Sequence, residues 1–172
     1  KASNNGIFPF VDRSLVNGTA QDPDRIFSPE VLFALSDSQR GELFEEYFDP
    51  SLAPNMVFRM ETDLLEQTIY GGTGTGGNLD DYRCRSNWIS SGSARYFYKY
   101  SDMTESGRIE NTMIPLLRLG EMYLIAAESQ SNSLANGVSY INTLRKNRGV
   151  SNLQTLTTTL LQYEYIREVY GE

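Results

Sequence analysis

The chain has 172 residues, of which 40% are hydrophobic and 12% aromatic, and 15 Lys+Arg against 22 Asp+Glu give a net charge of −7. This length allows one domain, or one domain and part of another. The acidic balance argues against nucleic-acid binding, and no apolar run reaches the roughly 18 residues that a membrane-spanning helix needs. Cys84 is the only cysteine and histidine is absent, which excludes an internal disulfide, histidine-dependent nucleophiles and most zinc sites.

The first third of the chain predicts short elements joined by turns. Residues 29–35 are apolar at successive positions and rich in β-formers, which predicts a buried extended segment. Residues 42–48 place apolar side chains at helical spacing and predict a short helix. Residues 55–60 favour a short strand, and residues 61–67 favour another short helix.

Residues 71–77 are rich in glycine, and Gly72, Gly74 and Gly77 satisfy the spacing of a dinucleotide-binding loop. Such a loop opens into an apolar helix, whereas residues 78–83 are polar and acidic. A phosphate loop would also need a Lys-Ser or Lys-Thr pair, which this stretch lacks. The sequence therefore predicts a mobile glycine-rich surface loop here.

Aromatic residues concentrate in the segment that follows. Trp88, the only tryptophan, stands in a polar, loop-like setting. Residues 95–100 predict a strand in which Arg95, Phe97 and Lys99 alternate with three tyrosines. For those tyrosines we expect core packing.

Apolar spacing predicts three antiparallel helices at about 113–131, 137–148 and 155–171. Pro115 suits the first turn of the first helix. Arg118 and Glu121 lie three positions apart, which favours an ion pair on that helix.

The second helix is predicted to end at Gly149, a favourable C-cap. Arg145 and Arg148 lie near this end, and we expect them to bind helix-end carbonyls or acidic neighbours. In the third helix, the apolar stripe of Leu156, Leu160 and Tyr163 is expected to lack part of its cover. Marginal stability or self-association would follow from that exposure.

Residues 114–149 resemble the tetratricopeptide-like helices of SusD/RagB-type proteins, the nutrient-binding lipoproteins of Bacteroidetes outer membranes. The matching positions are Ile114, Pro115, Arg118, Leu119, Glu121, Tyr123, Leu124, Ala127, Glu128, Ile141, Asn142, Leu144, Arg145, Arg148 and Gly149. Residues 29–35, 81–83 and 99–100 resemble further family segments, and Arg167 and Glu168 match the closing helix more weakly. The alternative is an unrelated helical hairpin whose apolar stripe is only core.

The resemblance implies a mainly α fold of tetratricopeptide-like antiparallel helical hairpins, plus a loop-rich region with a few short strands. Residues 1–110 would form the irregular, ligand-facing region, and residues 111–172 the helices, cut at the C-terminal end of a longer protein. The implied function is capture of an oligosaccharide or other nutrient on the outer face of the outer membrane. The implied partner is a TonB-dependent (SusC-like) transporter, with a lipid anchor outside this chain and no cofactor, metal or catalytic residue.

The candidate ligand-binding residues are Trp88, Tyr82 and Arg83, because aromatic faces and planar polar groups recognise sugars. The alternative for Trp88 is a loop tryptophan packed over the helical core. Two other functions stay open from the residues alone. One is a helical-repeat scaffold without a sugar site, and the other is a hydrolase that uses carboxylate pairs such as Asp80 with Asp81 or Asp63 with Glu66.

Overall fold

The computed structural model describes residues 7–16, 22–71, 74–103, 107–130 and 134–172. Its α-helices are α1 (Arg13–Val16), α2 (Arg40–Tyr47), α3 (Tyr82–Asn87), α4 (Leu119–Glu128), α5 (Leu134–Asn147) and α6 (Thr158–Val169). A π-helix covers Leu64–Ile69, and 3-10 turns cover Ser28–Glu30 and Ile109–Asn111. The strands are β1 (Val31–Ser36), β2 (Trp88–Ser91), β3 (Ala94–Phe97) and β4 (Met113–Arg118).

The fold class is mixed, so the prediction of a mainly α, tetratricopeptide-like fold is wrong. The described residues are 44% helical and 13% strand, and the strands form two small antiparallel sheets. One sheet pairs β1 with β4, and the other is the β2–β3 hairpin. Within the described ranges, no helix combines the length and apolar character needed to cross a membrane.

The largest local error concerns residues 113–118, which were predicted as helix and form β4. Leu35 pairs with Ile114, and Ala34 pairs with Pro115. A short apolar run carries no periodicity that separates helix from strand, and here pairing with β1 decides the conformation. The helix α4 starts only after Arg118, whose backbone is still extended (φ −129°, ψ 156°).

The other helices of this half lie close to their predicted positions, as α5 and α6. α4 and α5 pack closely because Gly137 faces the backbone of Ala127, where a Cβ would come within 2.6 Å of the carbonyl oxygen. Gly149 follows α5 with φ +74°, the left-handed conformation expected of a C-cap glycine. At the start of α6, the hydroxyl of Thr157 accepts a hydrogen bond from the backbone N–H of Leu160 at 3.2 Å.

In the first half, the helix predicted at 42–48 is α2, and the strand predicted at 95–100 is β3, which ends at Phe97. Residues 29–35 contain a 3-10 turn followed by most of β1. The strand predicted at 55–60 is wrong, because these residues form turns and irregular backbone. The short helix predicted at 61–67 lies largely within the π-helix and the turn before it.

Two apolar clusters form most of the core. The first contains Ile26, Phe44, Leu65, Ile69, Tyr70, Cys84, Trp88, Phe97 and Tyr100, with Tyr163, Ile166 and Tyr170 of the α6 region packed against it. The second contains Leu124, Ala127, Ile141, Leu144, Leu156 and Leu161. The first cluster therefore draws on both of the predicted regions, 1–110 and 111–172.

The apolar stripe of α6 has more cover than the sequence predicts. Leu156 is buried, and Leu160 packs half-buried against the second cluster. Tyr163 packs against the first cluster. The described chain therefore covers part of this face, and Leu160 and Tyr163 stay partly exposed.

Candidate functional site

Arg83, one of the three predicted ligand-binding residues, lies inside the molecule. It follows Asp81, the N-cap residue of α3, whose carboxylate accepts bonds from the Arg83 backbone N–H and from Nε at 2.9 Å each. Its other nitrogens donate to Glu164 and Glu168 on α6 at 3.0 Å. The Arg83 side chain is 2% exposed, so its guanidinium binds internal carboxylates instead of a ligand.

Glu168 is the centre of a larger buried ion network. Its carboxylate accepts bonds from Arg83, Arg118 and Arg148. Arg148 also donates to both carboxylate oxygens of Glu30, at 2.7 and 2.6 Å. Burial alone would raise the pKa of Glu168, but the three guanidiniums lower it well below its usual value.

Glu164 joins two more arginines to this network. Arg145 and Arg167 both donate to its carboxylate, and Arg145 also donates to the Ser151 carbonyl. Burial raises the pKa of Glu164, and the surrounding guanidiniums more than offset that effect and lower it. The prediction that Arg145 binds helix-end carbonyls or acidic neighbours is confirmed by its pair with Glu164.

Most charged residues that carry the family resemblance belong to this one network. They are Glu30, Asp81, Arg83, Lys99, Arg118, Arg145, Arg148, Arg167 and Glu168. The predicted Arg118–Glu121 pair is wrong: Arg118 ends β4 and pairs with Glu168 and Glu172. These motif residues hold strands and helices together.

Trp88 lies in the first core cluster and is 3% exposed. Its ring centroid lies 5.0 Å from those of Phe97 and Tyr170. No face of the indole is open for a sugar to stack on. The structure corrects the prediction of a surface platform and favours the alternative, a tryptophan packed in the core.

Tyr82 differs from the other two predicted residues because part of its surface is accessible. It packs against the small cluster of Val11, Val16 and Phe27, and the Arg13 guanidinium lies 5.8 Å from its ring centroid. The structure therefore does not gather Trp88, Tyr82 and Arg83 into one surface site. It places only Tyr82 beside a surface groove.

That groove, the polar groove, runs between the N-terminal segment and the end of α5 and has a volume of about 570 Å³. It is lined by Pro9, Phe10, Val11, Asp12, Arg13, Thr143, Lys146 and Asn147. The two sides are about 130 positions apart in sequence. Sequence analysis missed the groove because no motif spans such a separation.

The polar groove combines an aromatic ring with several kinds of polar group. Phe10 is positioned by Tyr123, at a centroid distance of 5.3 Å, and by the Arg148 guanidinium. The Asp12 carboxylate accepts bonds from the Ser14 hydroxyl and N–H, which lower its pKa. Carboxylate, guanidinium, ammonium, amide and hydroxyl groups thus surround one apolar ring.

A second groove, the apolar groove, has a volume of about 410 Å³. It is lined by Leu43, Tyr47, Phe48, Phe58, Tyr100, Ile114, Gly171 and Glu172. The Glu172 carboxylate is already bound to Lys99 and Arg118. A sugar in this groove would leave most of its hydroxyls without partners, which is costly.

The glycine-rich stretch contributes no nucleotide site among its described residues. A Cβ on Gly76 would collide with Leu153, and one on Gly77 would collide with the Tyr70 backbone. Arg167 donates to the Thr75 carbonyl at 2.9 Å. This part of the stretch therefore packs on the core, while Gly72 lies outside the described residues.

The carboxylate pairs considered for hydrolysis have other partners. Asp81 is buried in the ion network, and Asp80 forms an exposed pair with Arg85 at 2.9 Å. Glu66 pairs with Arg95 at 2.6 Å, and Asp63 accepts from Gln67. Among the described residues, no group of three or more His, Cys, Asp or Glu side chains is placed to hold a metal ion.

Comparisons of the chain with protein-family models, with curated proteins and with solved structures find no match. The grooves and the motif residues of this chain are therefore the features that bear on its function.

Proposed function

We propose that this chain belongs to a cell-surface protein that binds a glycan or other nutrient without changing it covalently. The observation that carries the proposal is the polar groove, where the Phe10 ring lies among side chains that bond hydroxyl groups. The outer-membrane location, the lipid anchor outside this chain and the TonB-dependent transporter partner are proposed from the resemblance to SusD/RagB-type proteins.

The groove matches the two sides of a saccharide. A sugar ring presents C–H surface, which packs on an aromatic face, and hydroxyl groups, which need donors and acceptors. The Asn147 amide can donate hydrogen bonds and the Asp12 carboxylate can accept them, so the groove offers both donors and acceptors. The groove volume of about 570 Å³ lies within the range of small-molecule sites.

The ion network supports the proposed resemblance to SusD/RagB-type proteins through the positions of its residues. Arginines from three motif-like segments, at 83, 118 and 145–148, converge on two α6 carboxylates, Glu164 and Glu168. Glu30, from a fourth such segment, binds Arg148. The motif residues are thus the ones that join these segments. Specificity for a ligand is left to surface residues such as those of the polar groove.

The proposal is tested by screening a glycan array and then measuring affinity for the best ligand by calorimetry. The double variant Lys146→Ala/Asn147→Ala removes two groove groups, and each lost hydrogen bond costs roughly 1 kcal/mol. Two lost bonds cost about 2 kcal/mol, so we expect about thirtyfold weaker binding. Gln162→Ala, at an exposed position of α6 outside the groove, is the matched control and should bind normally.

Two results would overturn the proposal. One is the absence of binding to any glycan or small nutrient in a folded sample. The other is conversion of the bound glycan into products, which would favour the hydrolase alternative. If the double variant bound the glycan as tightly as the unchanged chain does, the binding site would lie outside the polar groove.

A further inference from the structure

The apolar groove is lined mainly by apolar side chains and is unused by the proposed glycan site. Two of its aromatic side chains are well exposed, Tyr47 at 46% and Phe58 at 63%. The ring centroid of Phe48 lies 6.1 Å from that of Phe58. Exposed apolar surface of this kind is typical of a contact site for another molecule.

The groove continues onto the β1–β4 sheet. Ile114 lines the groove and pairs directly with Leu35, so the two side chains share a face of the sheet. Leu35 is 52% exposed. The apolar surface is therefore longer than the groove and suits an elongated occupant.

Carboxylates lie on a helix that borders the same surface. α2 presents Leu43 and Tyr47 to the groove, and Glu42, Glu45 and Glu46 of the same helix have exposed side chains. Glu46 forms a hydrogen bond with Tyr47 that raises the pKa of that phenol. No described residue forms an ion pair with any of the three glutamates.

The internal ion network increases the share of negative charge at the surface. It holds six cationic side chains, those of Lys99 and five arginines, against five carboxylates. Most of the acidic excess of the chain therefore lies on the surface. A partner that binds at α2 therefore finds carboxylates without ion-pair partners on the same helix as Leu43 and Tyr47.

We propose that the apolar groove is a docking site for a segment of another protein that combines apolar side chains with lysine or arginine. The apolar side chains would fill the groove between Tyr47 and Phe58. The cationic side chains would lie against the glutamates of α2. Charge complementarity of this type sets the choice of partner and the rate of association.

The test uses a fluorescently labelled peptide in which leucine and phenylalanine alternate with lysine. A second peptide has the same apolar residues with glutamate in place of lysine. Fluorescence anisotropy should show at least about tenfold tighter binding of the lysine peptide. The triple variant Glu42→Gln/Glu45→Gln/Glu46→Gln should remove most of that difference, as should added salt. Phe58→Ala should weaken binding of the lysine peptide.

The matched control is Glu61→Gln/Asp63→Asn/Asp80→Asn, which changes the net charge equally at exposed carboxylates outside the groove. It should leave the preference for lysine intact. Equal binding of both peptides, or equal loss in the two triple variants, would overturn the proposal. Concentration-dependent dimers that Phe58→Ala dissolves would identify a second copy of this chain as the occupant instead.

Discussion

Trp88 shows at the scale of single residues how composition misleads about function. A lone tryptophan in a polar stretch suggests a sugar platform, yet its ring packs against those of Phe97 and Tyr170 in the core. The local sequence gives no sign of this, because Tyr170 comes from the far end of the chain. Arg145 and Arg148 were predictable, since arginines near a helix end bind carbonyls or carboxylates.

The core position of Trp88 predicts the effect of its removal. Trp88→Ala should lower the free energy of unfolding by about 3–5 kcal/mol, because a large buried ring leaves a cavity. Denaturant unfolding, compared with Tyr140→Ala at a more exposed aromatic position, measures this. A loss under about 1 kcal/mol, the usual range for surface positions, would place the ring outside the core.

Cys84 gives a second prediction at this scale. Its thiol is buried in the first core cluster, and burial raises its pKa to about 12. A thiol reagent at neutral pH should therefore modify the folded protein very slowly and the denaturant-unfolded chain rapidly. Equal rates in the two states would contradict the burial.

At the scale of elements, helices with long apolar periodicity were predictable and the β1–β4 pairing was not. α5 and α6 repeat apolar residues over three turns, which fixes their type. β4 has six residues, and its conformation depends on a partner strand about 80 positions away. The polar groove escaped prediction for the same reason, because the N-terminal segment and α5 form it together.

Gly137 provides a test of the packing of α4 against α5. Gly137→Ala should destabilise the protein although alanine favours helices by about 1 kcal/mol, because the new Cβ would meet the Ala127 carbonyl. Asn136→Ala, one position earlier and exposed, should be neutral or stabilising. Thermal unfolding of the two variants decides the matter, and a higher melting temperature for Gly137→Ala would contradict the close approach.

At the scale of the whole molecule, the ion network joins segments that the sequence presents as separate regions. Removing one partner leaves buried charges without compensation, which commonly costs about 3–5 kcal/mol. Glu168→Gln should therefore destabilise the protein strongly, because Arg83, Arg118 and Arg148 each lose one of their carboxylate partners. Glu121→Gln is the control, since Glu121 has no part in the network.

The same network sets the response to acid. The pKa values of Glu164 and Glu168 are lowered in the folded protein from their usual 4.5. The unfolded chain therefore takes up protons first, and stability present above pH 4.5 is lost as the pH falls below it. Urea unfolding across this range should show a steep loss in the native protein and a shallower one in Glu168→Gln. If stability fell equally steeply with pH in both proteins, the buried network would not be the source of the acid sensitivity.

Because the motif residues form the folded core, ligand binding falls to the polar groove. The most direct measurement is a nuclear magnetic resonance titration of the isotope-labelled chain with the saccharide selected on the array. We predict that backbone shifts change at residues 9–13 and 143–147, while Trp88 and the apolar groove stay unaffected. Shift changes centred on Trp88 or on Tyr47 and Phe58, with none near Phe10, would show that the saccharide binds outside the polar groove.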